Sequence, residues 1–211
     1  MKVSVSSLPY NENIFENLAQ IISSGADFLH LDIMDGSLTD FVTFDSKTVK
    51  QINDNSTFVL DCHLMANEPK ELVKDYVQSG VNILTVHYEA FKNVEDLISI
   101  LSYLKEQKVI VGLAVYPQTK LEKIKPLENL FDLVLIMSVE IGKYGQSFMD
   151  GMLDKIVLAK KMFENKLIEV DGGVNTENCE LIKQAGADIV VVGGAYYKSN
   201  DKAETILKIK Q

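Results

Sequence analysis

The chain contains no arginine. All 21 of its basic residues are lysines, they face 30 acidic residues, and the net charge is -9. An acidic chain without guanidinium groups is unsuited to nucleic acid, whose phosphates and guanine edges favour a basic, arginine-bearing face. The same absence means that any bound phosphate must be held by lysine or by backbone N–H groups. Cysteine is scarce as well: Cys62 and Cys179 are the only two, too few for a disulfide framework. No apolar run approaches the roughly 20 residues of a membrane helix. The apolar run in Met1–Pro9 is too short for a signal peptide. These absences read as a cytoplasmic protein with neither nucleic acid nor membrane as a partner. No Pro/Gly/Ser-rich linker divides the 211 residues, so 1–211 is read as one domain.

A short motif is present three times. Ser24-Gly25-Ala26-Asp27, Ser79-Gly80-Val81-Asn82 and Ala185-Gly186-Ala187-Asp188 each follow an amphipathic segment and precede a short apolar run. Glycine can take the left-handed conformation that ends a helix, and the run after it suits a buried strand. Extending this pattern predicts strands near 2–8, 28–34, 58–65, 82–88, 109–115, 132–138, 166–171 and 188–193. Helices are predicted between them, near 12–23, 45–53, 69–79, 92–107, 119–127, 149–164, 176–185 and 201–210. The strands are apolar runs rather than clean alternations, as in a parallel sheet covered by helices. Eight β-then-α units predict a single-domain α/β fold, a (β/α)8 TIM barrel with a parallel eight-stranded core. An open doubly wound sheet is the competing architecture. In a barrel, functional residues sit at the C-terminal strand ends and in the loops that follow.

Strand side chains alternate in direction, so His30, Asp32 and Met34 share one face of the second strand. Leu29, Leu31 and Ile33 share the other, which suits the helix-covered outside. The same parity groups Asp61, His63 and Met65 in the third strand, and Asp171 ends the seventh. One strand histidine alone is more often structural than a ligand. Two of the three histidines converging with two aspartates on one rim is harder to explain as packing, because a buried carboxylate needs a partner or a metal. The set suits Zn²⁺, Mn²⁺ or Fe²⁺. Asp61 is expected to partner a metal-bound histidine, and Asp35 to serve the turn at Gly36. Cys62 has outward parity and should pack under a helix. His87 and Glu89 either shape the site or are structural.

Gly172-Gly173 follow the seventh strand and Gly193-Gly194 the eighth. In barrels of this class those two loops commonly hold phosphate through backbone N–H groups. The alternative is that the glycines only make tight turns. Gly142-Lys143-Tyr144-Gly145-Gln146 reads either as a mobile lid or as a surface loop.

The residues resemble, over nearly the whole chain, the ribulose-phosphate 3-epimerase family. Its His-x-Asp-x-Met-Asp-Gly is His30 to Gly36, its Asp-x-His-Leu-Met is Asp61 to Met65, and its Val-His-x-Glu is Val86 to Glu89. Its Met-Ser-Val, Gly-Gln-x-Phe and Glu-Val-Asp-Gly-Gly-Val are Met137 to Val139, Gly145 to Phe148 and Glu169 to Val174. The resemblance implies a metal-dependent isomerase that interconverts D-ribulose 5-phosphate and D-xylulose 5-phosphate. It implies one divalent ion (Zn²⁺, Fe²⁺ or Mn²⁺) on His30, Asp32, His63 and Asp171, with Asp32 and Asp171 as the catalytic acid/base pair. It implies substrate contacts from Ser6, His63, Gly142 and Gly145, from Gly172, Gly173, Gly193 and Gly194 chiefly at the phosphate, and from Met34, Met65 and Met137 around the reaction centre. It also implies a homo-oligomer. Inversion at C3 of a 2-ketose needs proton removal on one face and return on the other, so two carboxylates make chemical sense.

The loops depart from the family pattern. Ser37-Leu38-Thr39-Asp40-Phe41 replaces His-Phe-Val-Pro-Asn, Glu140-Ile141-Gly142-Lys143-Tyr144 replaces Asn-Pro-Gly-Phe-Gly, and Tyr116 and Gly194 replace an asparagine and a serine. These changes leave substrate identity open more than reaction type. The alternatives are another ketose phosphate such as D-allulose 6-phosphate, or a non-catalytic sugar-phosphate-binding barrel. The related decarboxylases carry Asp-x-Lys-x-x-Asp at the third strand, and Asp61-Cys62-His63-Leu64-Met65-Ala66 has no lysine there.

Overall fold

The computed structural model describes residues 1–8, 14–142 and 145–211. Eight parallel strands close into a ring in chain order. They are β1 (Lys2–Ser6), β2 (Phe28–Met34), β3 (Val59–Met65), β4 (Ile83–His87), β5 (Ile110–Val115), β6 (Leu133–Met137), β7 (Leu167–Asp171) and β8 (Ile189–Val192). The helices are α1 (Ile14–Ser23), α2 (Ser46–Asn55), α3 (Lys70–Gln78), α4 (Val94–Lys105), α5 (Met152–Met162), α6 (Cys179–Gln184), α7 (Gly194–Lys198) and α8 (Lys202–Lys210). The barrel is therefore closed, and the open doubly wound sheet is excluded. No helix among the described residues is long and apolar enough to cross a membrane. The expected helix start at residue 12, and Lys143 and Tyr144 of the segment read as a lid or a surface loop, lie outside the described residues.

The repeated junction forms as its sequence suggests. Gly25, Gly80 and Gly186 adopt φ of 81°, 84° and 108°, a region that stops a helix and that L side chains rarely occupy. Two elements differ from expectation. Residues 119–127 do not form an α-helix; they carry 3₁₀ turns at Leu121–Lys123 and Lys125–Leu130. Pro126 is the cause: it has no N–H for the i→i−4 ladder, and its ring crowds the preceding turn. In the other direction, an additional short helix, α7, forms directly after β8.

Strand parity sorts the core into two parts. Leu29, Leu31, Ile33, Leu60, Cys62 and Leu64 face outward, into the apolar layer between barrel and helices. The barrel interior is itself divided. One side is apolar, built from Ile83, Ala114, Leu133, Leu135, Met137 and Ile189. The other is polar and buried: Ser4, His30, Asp32, Asp61, His63, Thr85, His87 and Glu169 are all at most 5% exposed. So many buried polar groups on one side of a barrel need internal partners or a ligand.

Candidate metal centre and sugar-phosphate pocket

Register builds the polar floor. Asp32 on β2 pairs with His63 on β3, one step above the pair of His30 and Asp61. Asp171 ends β7 beside Met137 of β6. Thr43 stitches the end of β2: its hydroxyl donates to the Asp32 carbonyl at 2.6 Å and accepts from the Met34 N–H at 2.9 Å. Ser138 does the same for β7, donating to the carbonyls of Asp171 and Gly172 at 2.9 and 2.7 Å.

His30 Nδ1 lies 2.7 Å from Asp61 Oδ2, which also accepts from the Ser4 hydroxyl at 2.7 Å. His63 Nε2 lies 2.7 Å from His87 Nε2. Each imidazole is thus engaged on one side only. The other nitrogens, His30 Nε2 and His63 Nδ1, are buried with no hydrogen-bond partner among the described residues. Both face carboxylates at more than hydrogen-bond length. His30 Nε2 is 3.5 Å from Asp32 Oδ1, and His63 Nδ1 is 3.6 Å from both Asp32 Oδ1 and Asp171 Oδ2. Asp32 is further anchored by the Ser6 hydroxyl at 2.8 Å. Ligand atoms from His30, Asp32, His63 and Asp171 all lie within 4.8 Å of one another. Two unpartnered imidazole nitrogens converging on two carboxylate oxygens fit a divalent cation, since the set can hold one without breaking any hydrogen bond. The histidine that Asp61 partners is His30.

The two upper carboxylates differ in proton affinity. Burial pushes Asp171 up, and the neighbouring Asp32 adds to this, raising its pKa to about 6. Burial acts on Asp32 too, but His30 and His63 outweigh it and hold that carboxyl well below the usual range. In the metal-free protein Asp61 and Asp32 overcome the burial of His30 and raise its pKa well above 6.5, so a cation binding at Nε2 displaces a proton. Burial keeps His87 neutral, with its pKa pushed down to about 4. A pair of carboxyls whose environments drive their pKa values apart is able to act as acid and base together.

Above this floor opens a cavity of about 320 Å³. Ser6, Asp32, Asp171, Met34, Met65 and Met137 line its base. Gly142, Gly145, Gly172, Gly173, Gly193 and Gly194 line its wall. His30 and His63 do not reach this surface; both are fully buried beneath it. Glu140 also lines the cavity, as its place after the sixth strand implies. Asp35 serves its turn, accepting from the N–H and hydroxyl of Ser37 at 2.9 and 2.6 Å. The fold adds residues that sequence reasoning does not single out. Asn175 lines the wall, and so does Lys198, the only lysine among the described lining residues. Lys198 arrives on α7, the helix that the periodicity does not reveal.

The glycine wall is tightly fitted. Gly173 has φ of 66°, and a Cβ there would lie 2.1 Å from the Phe148 backbone nitrogen. Gly173→Ala is expected to reduce stability by about 1–3 kcal/mol through strain and displacement of the 145–148 segment. Urea unfolding with a parallel KM measurement checks this. Unchanged stability and KM would show that the two loops are not locked together.

Fold and site together define a (β/α)8 barrel with a cavity at its strand ends, over a floor able to hold a metal ion. The profile of the ribulose-phosphate 3 epimerase family matches residues 2–197, and the chain belongs to that family. It is 35% identical to the ribulose-phosphate 3-epimerase of Bacillus subtilis, over 92% of this chain and 90% of that protein. It is 33% identical to the ribulose-phosphate 3-epimerase of Schizosaccharomyces pombe, over 92% of this chain and 85% of that protein. The chain is accordingly an epimerase, an isomerase-class enzyme. Among solved structures, 3-hexulose-6-phosphate synthase from Salmonella typhimurium superposes with a TM-score of 0.75 at 18% identity, covering 100% of this chain and 97% of that one. That likeness is one of fold.

Proposed function

We propose that the enzyme interconverts D-ribulose 5-phosphate and D-xylulose 5-phosphate by moving the C3 proton between Asp32 and Asp171. The observation that carries this reading is geometric: Asp32 at the end of β2 and Asp171 at the end of β7 both line the cavity base. Inversion requires a proton acceptor on one face and a donor on the other, so a single base is insufficient. β2 and β7 are separated in the ring by β1 and β8, so the two carboxyls approach a bound sugar from different sides. His30 Nε2, His63 Nδ1 and the two aspartates would hold one divalent ion, Zn²⁺, Fe²⁺ or Mn²⁺. A bound ion would supply charge stabilisation to the enediolate oxygens at C2 and C3. Ser6 holds Asp32 in place and contacts the sugar. Met34, Met65 and Met137 surround the reacting carbon with thioethers and exclude water that would quench the carbanion. Backbone N–H groups at Gly172, Gly173, Gly193 and Gly194 cradle the phosphate. Lys198 adds the countercharge, in a chain that has no arginine to offer.

The test is deuterium wash-in from solvent, followed by NMR. Metal-loaded enzyme in D₂O is expected to place label at C3 of D-ribulose 5-phosphate as D-xylulose 5-phosphate accumulates. Epimerisation without label, or label elsewhere than C3, overturns the mechanism. The altered segments 37–41 and 140–142 favour one second reading, the same chemistry on a hexulose 6-phosphate. A higher kcat/KM on D-allulose 6-phosphate than on the pentulose phosphate would establish that reading instead.

A further inference from the structure

His87 and Glu89 are buried or half-buried polar residues that the chemistry above does not use. His87 is fully buried at the end of β4, and its Nε2 meets Nε2 of His63 at 2.7 Å. The ring centroids are 4.8 Å apart, so the rings meet through these nitrogens at their edges rather than face to face. At this separation one hydrogen must lie between the two nitrogens. Two lone pairs would repel, and two N–H groups would clash. Which ring owns that hydrogen decides the state of His63. If His63 carries it, His63 Nδ1 is a lone pair. If His87 carries it, neutral His63 has its N–H on Nδ1, aimed at Asp32 and Asp171, and offers no lone pair there.

Glu89 makes the choice. Its Oε2 lies 3.5 Å from His87 Nδ1, and neither atom has another partner among the described residues. Its Oε1 accepts from the Tyr116 N–H at 2.9 Å and from the Thr119 hydroxyl. The loop carrying those donors is clamped by Lys155 of α5, which donates to the carbonyls of Tyr116, Pro117 and Thr119 at 2.6, 3.1 and 2.8 Å. An ionised carboxylate facing His87 Nδ1 requires an N–H there, because a lone pair would be repelled. Neutral His87 then has its lone pair on Nε2 and must accept from His63. We propose that Glu89 and His87 are positioning residues that act in series, fixing His63 in the tautomer whose Nδ1 lone pair faces Asp32 and Asp171. His30 is oriented directly by a carboxylate, Asp61, whereas His63 is oriented by a carboxylate one imidazole further away. The inference rests on the metal reading above.

Glu89→Gln is the decisive variant, because it keeps size and shape. The Tyr116 N–H and the Thr119 hydroxyl select the amide oxygen, which turns the amide NH₂ toward His87 Nδ1. The hydrogen bonds of the relay then reverse. Two readouts follow. In metal-stripped protein, ¹⁵N NMR of the histidines is expected to report His63 as the Nε2–H tautomer in wild type and the Nδ1–H tautomer in Glu89→Gln. Titration with Zn²⁺ and Mn²⁺ is expected to show affinity weakened by about 10- to 100-fold in the variant. His87→Phe, which removes the acceptor, is expected to weaken it as well. Thermal unfolding of the stripped proteins checks that both variants are folded. An unchanged His63 tautomer with affinity within about twofold of wild type would overturn the proposal and leave Glu89 a packing residue. A wild type that binds neither ion overturns the metal reading and this inference with it. Ion binding without turnover of D-ribulose 5-phosphate would overturn the substrate assignment alone.

Discussion

Asp171→Asn is expected to lower kcat for epimerisation by about 10²–10⁴-fold, the range that a positioned acid/base group contributes. Asparagine preserves the size of the side chain and its place at the cavity base, but can neither take nor return a proton at C3. Asp171 suits the role because it ends β7 at the cavity base, facing a bound sugar, and in the metal-free protein burial and Asp32 raise its pKa to about 6. Its side chain is still 17% exposed, enough to meet a ligand. The two-carboxylate mechanism makes a sharper statement about what survives. With Asp32 intact, the variant should still exchange the C3 proton of one epimer with solvent, while conversion to the other epimer fails. Wash-in should therefore persist from one of the two substrates and vanish from the other. Loss from both, with metal affinity unchanged, would mean that Asp171 serves both faces. Retention of more than about half the wild-type kcat would remove it from the chemistry. Metal affinity measured on the same protein separates a lost acid from a lost ligand.

The second large effect lies beneath the cavity, where His30→Gln is expected to destabilise the metal-free protein by about 3–5 kcal/mol. Burial drives Glu169 well above the usual carboxylate range, and Asp61 drives it further. Asp61 itself stays low, because His30 outweighs its burial. Asp61 Oδ1 and both Glu169 oxygens have no N–H or hydroxyl donor among the described residues. A proton on Glu169, shared with Asp61, relieves both. The cluster is thus one cation, one carboxylate and one neutral acid, and it depends on His30 for its charge. Removing His30 leaves a buried carboxylate uncompensated. Glu169→Gln, by contrast, replaces one neutral donor with another and is expected to change stability by less than about 1 kcal/mol. Urea unfolding of stripped protein measures both variants. The pH dependence has a definite sign. The folded pKa of His30 is raised above 6.5, so its contribution is complete below that pH and is lost as pH rises through the folded value. The gap between wild type and His30→Gln should be larger at pH 6 than at pH 9. A gap that widens with pH, or a Glu169→Gln loss as large as that of His30→Gln, would mean that Glu169 is ionised.

Much of this site can be read from short stretches of sequence. The alternation of His30, Leu31, Asp32, Ile33 and Met34 assigns inside and outside by itself, because a strand reverses its side chains at every residue. Gly25, Gly80 and Gly186 end their helices by a backbone preference that needs no distant partner. The strand-end polar residues, the glycine pairs and the turn role of Asp35 are of this local kind. The segment at 119–127 runs the other way, since its apolar spacing is helical while Pro126 removes an N–H that an α-helix needs.

Other features depend on distance across the ring. Asp61 is legible as a partner for a histidine, but closure and register set which one: it sits opposite His30 on the neighbouring strand. The His63–His87–Glu89 relay joins the ends of β3 and β4 to the loop after β5, and no single segment contains it. Lys198 reaches the cavity only because α7 forms after β8, in a stretch too short for helical periodicity to register. The sequence by itself determined the order of the eight strands, the inward parity and the metal-competent residue types, because periods of two and 3.6 residues are local properties of the backbone. Only the tertiary structure decided which nitrogen is left free, which carboxyl is raised and which is lowered. Those properties follow from burial and from charges a few ångströms away on other strands, and such charges become neighbours only when the barrel closes.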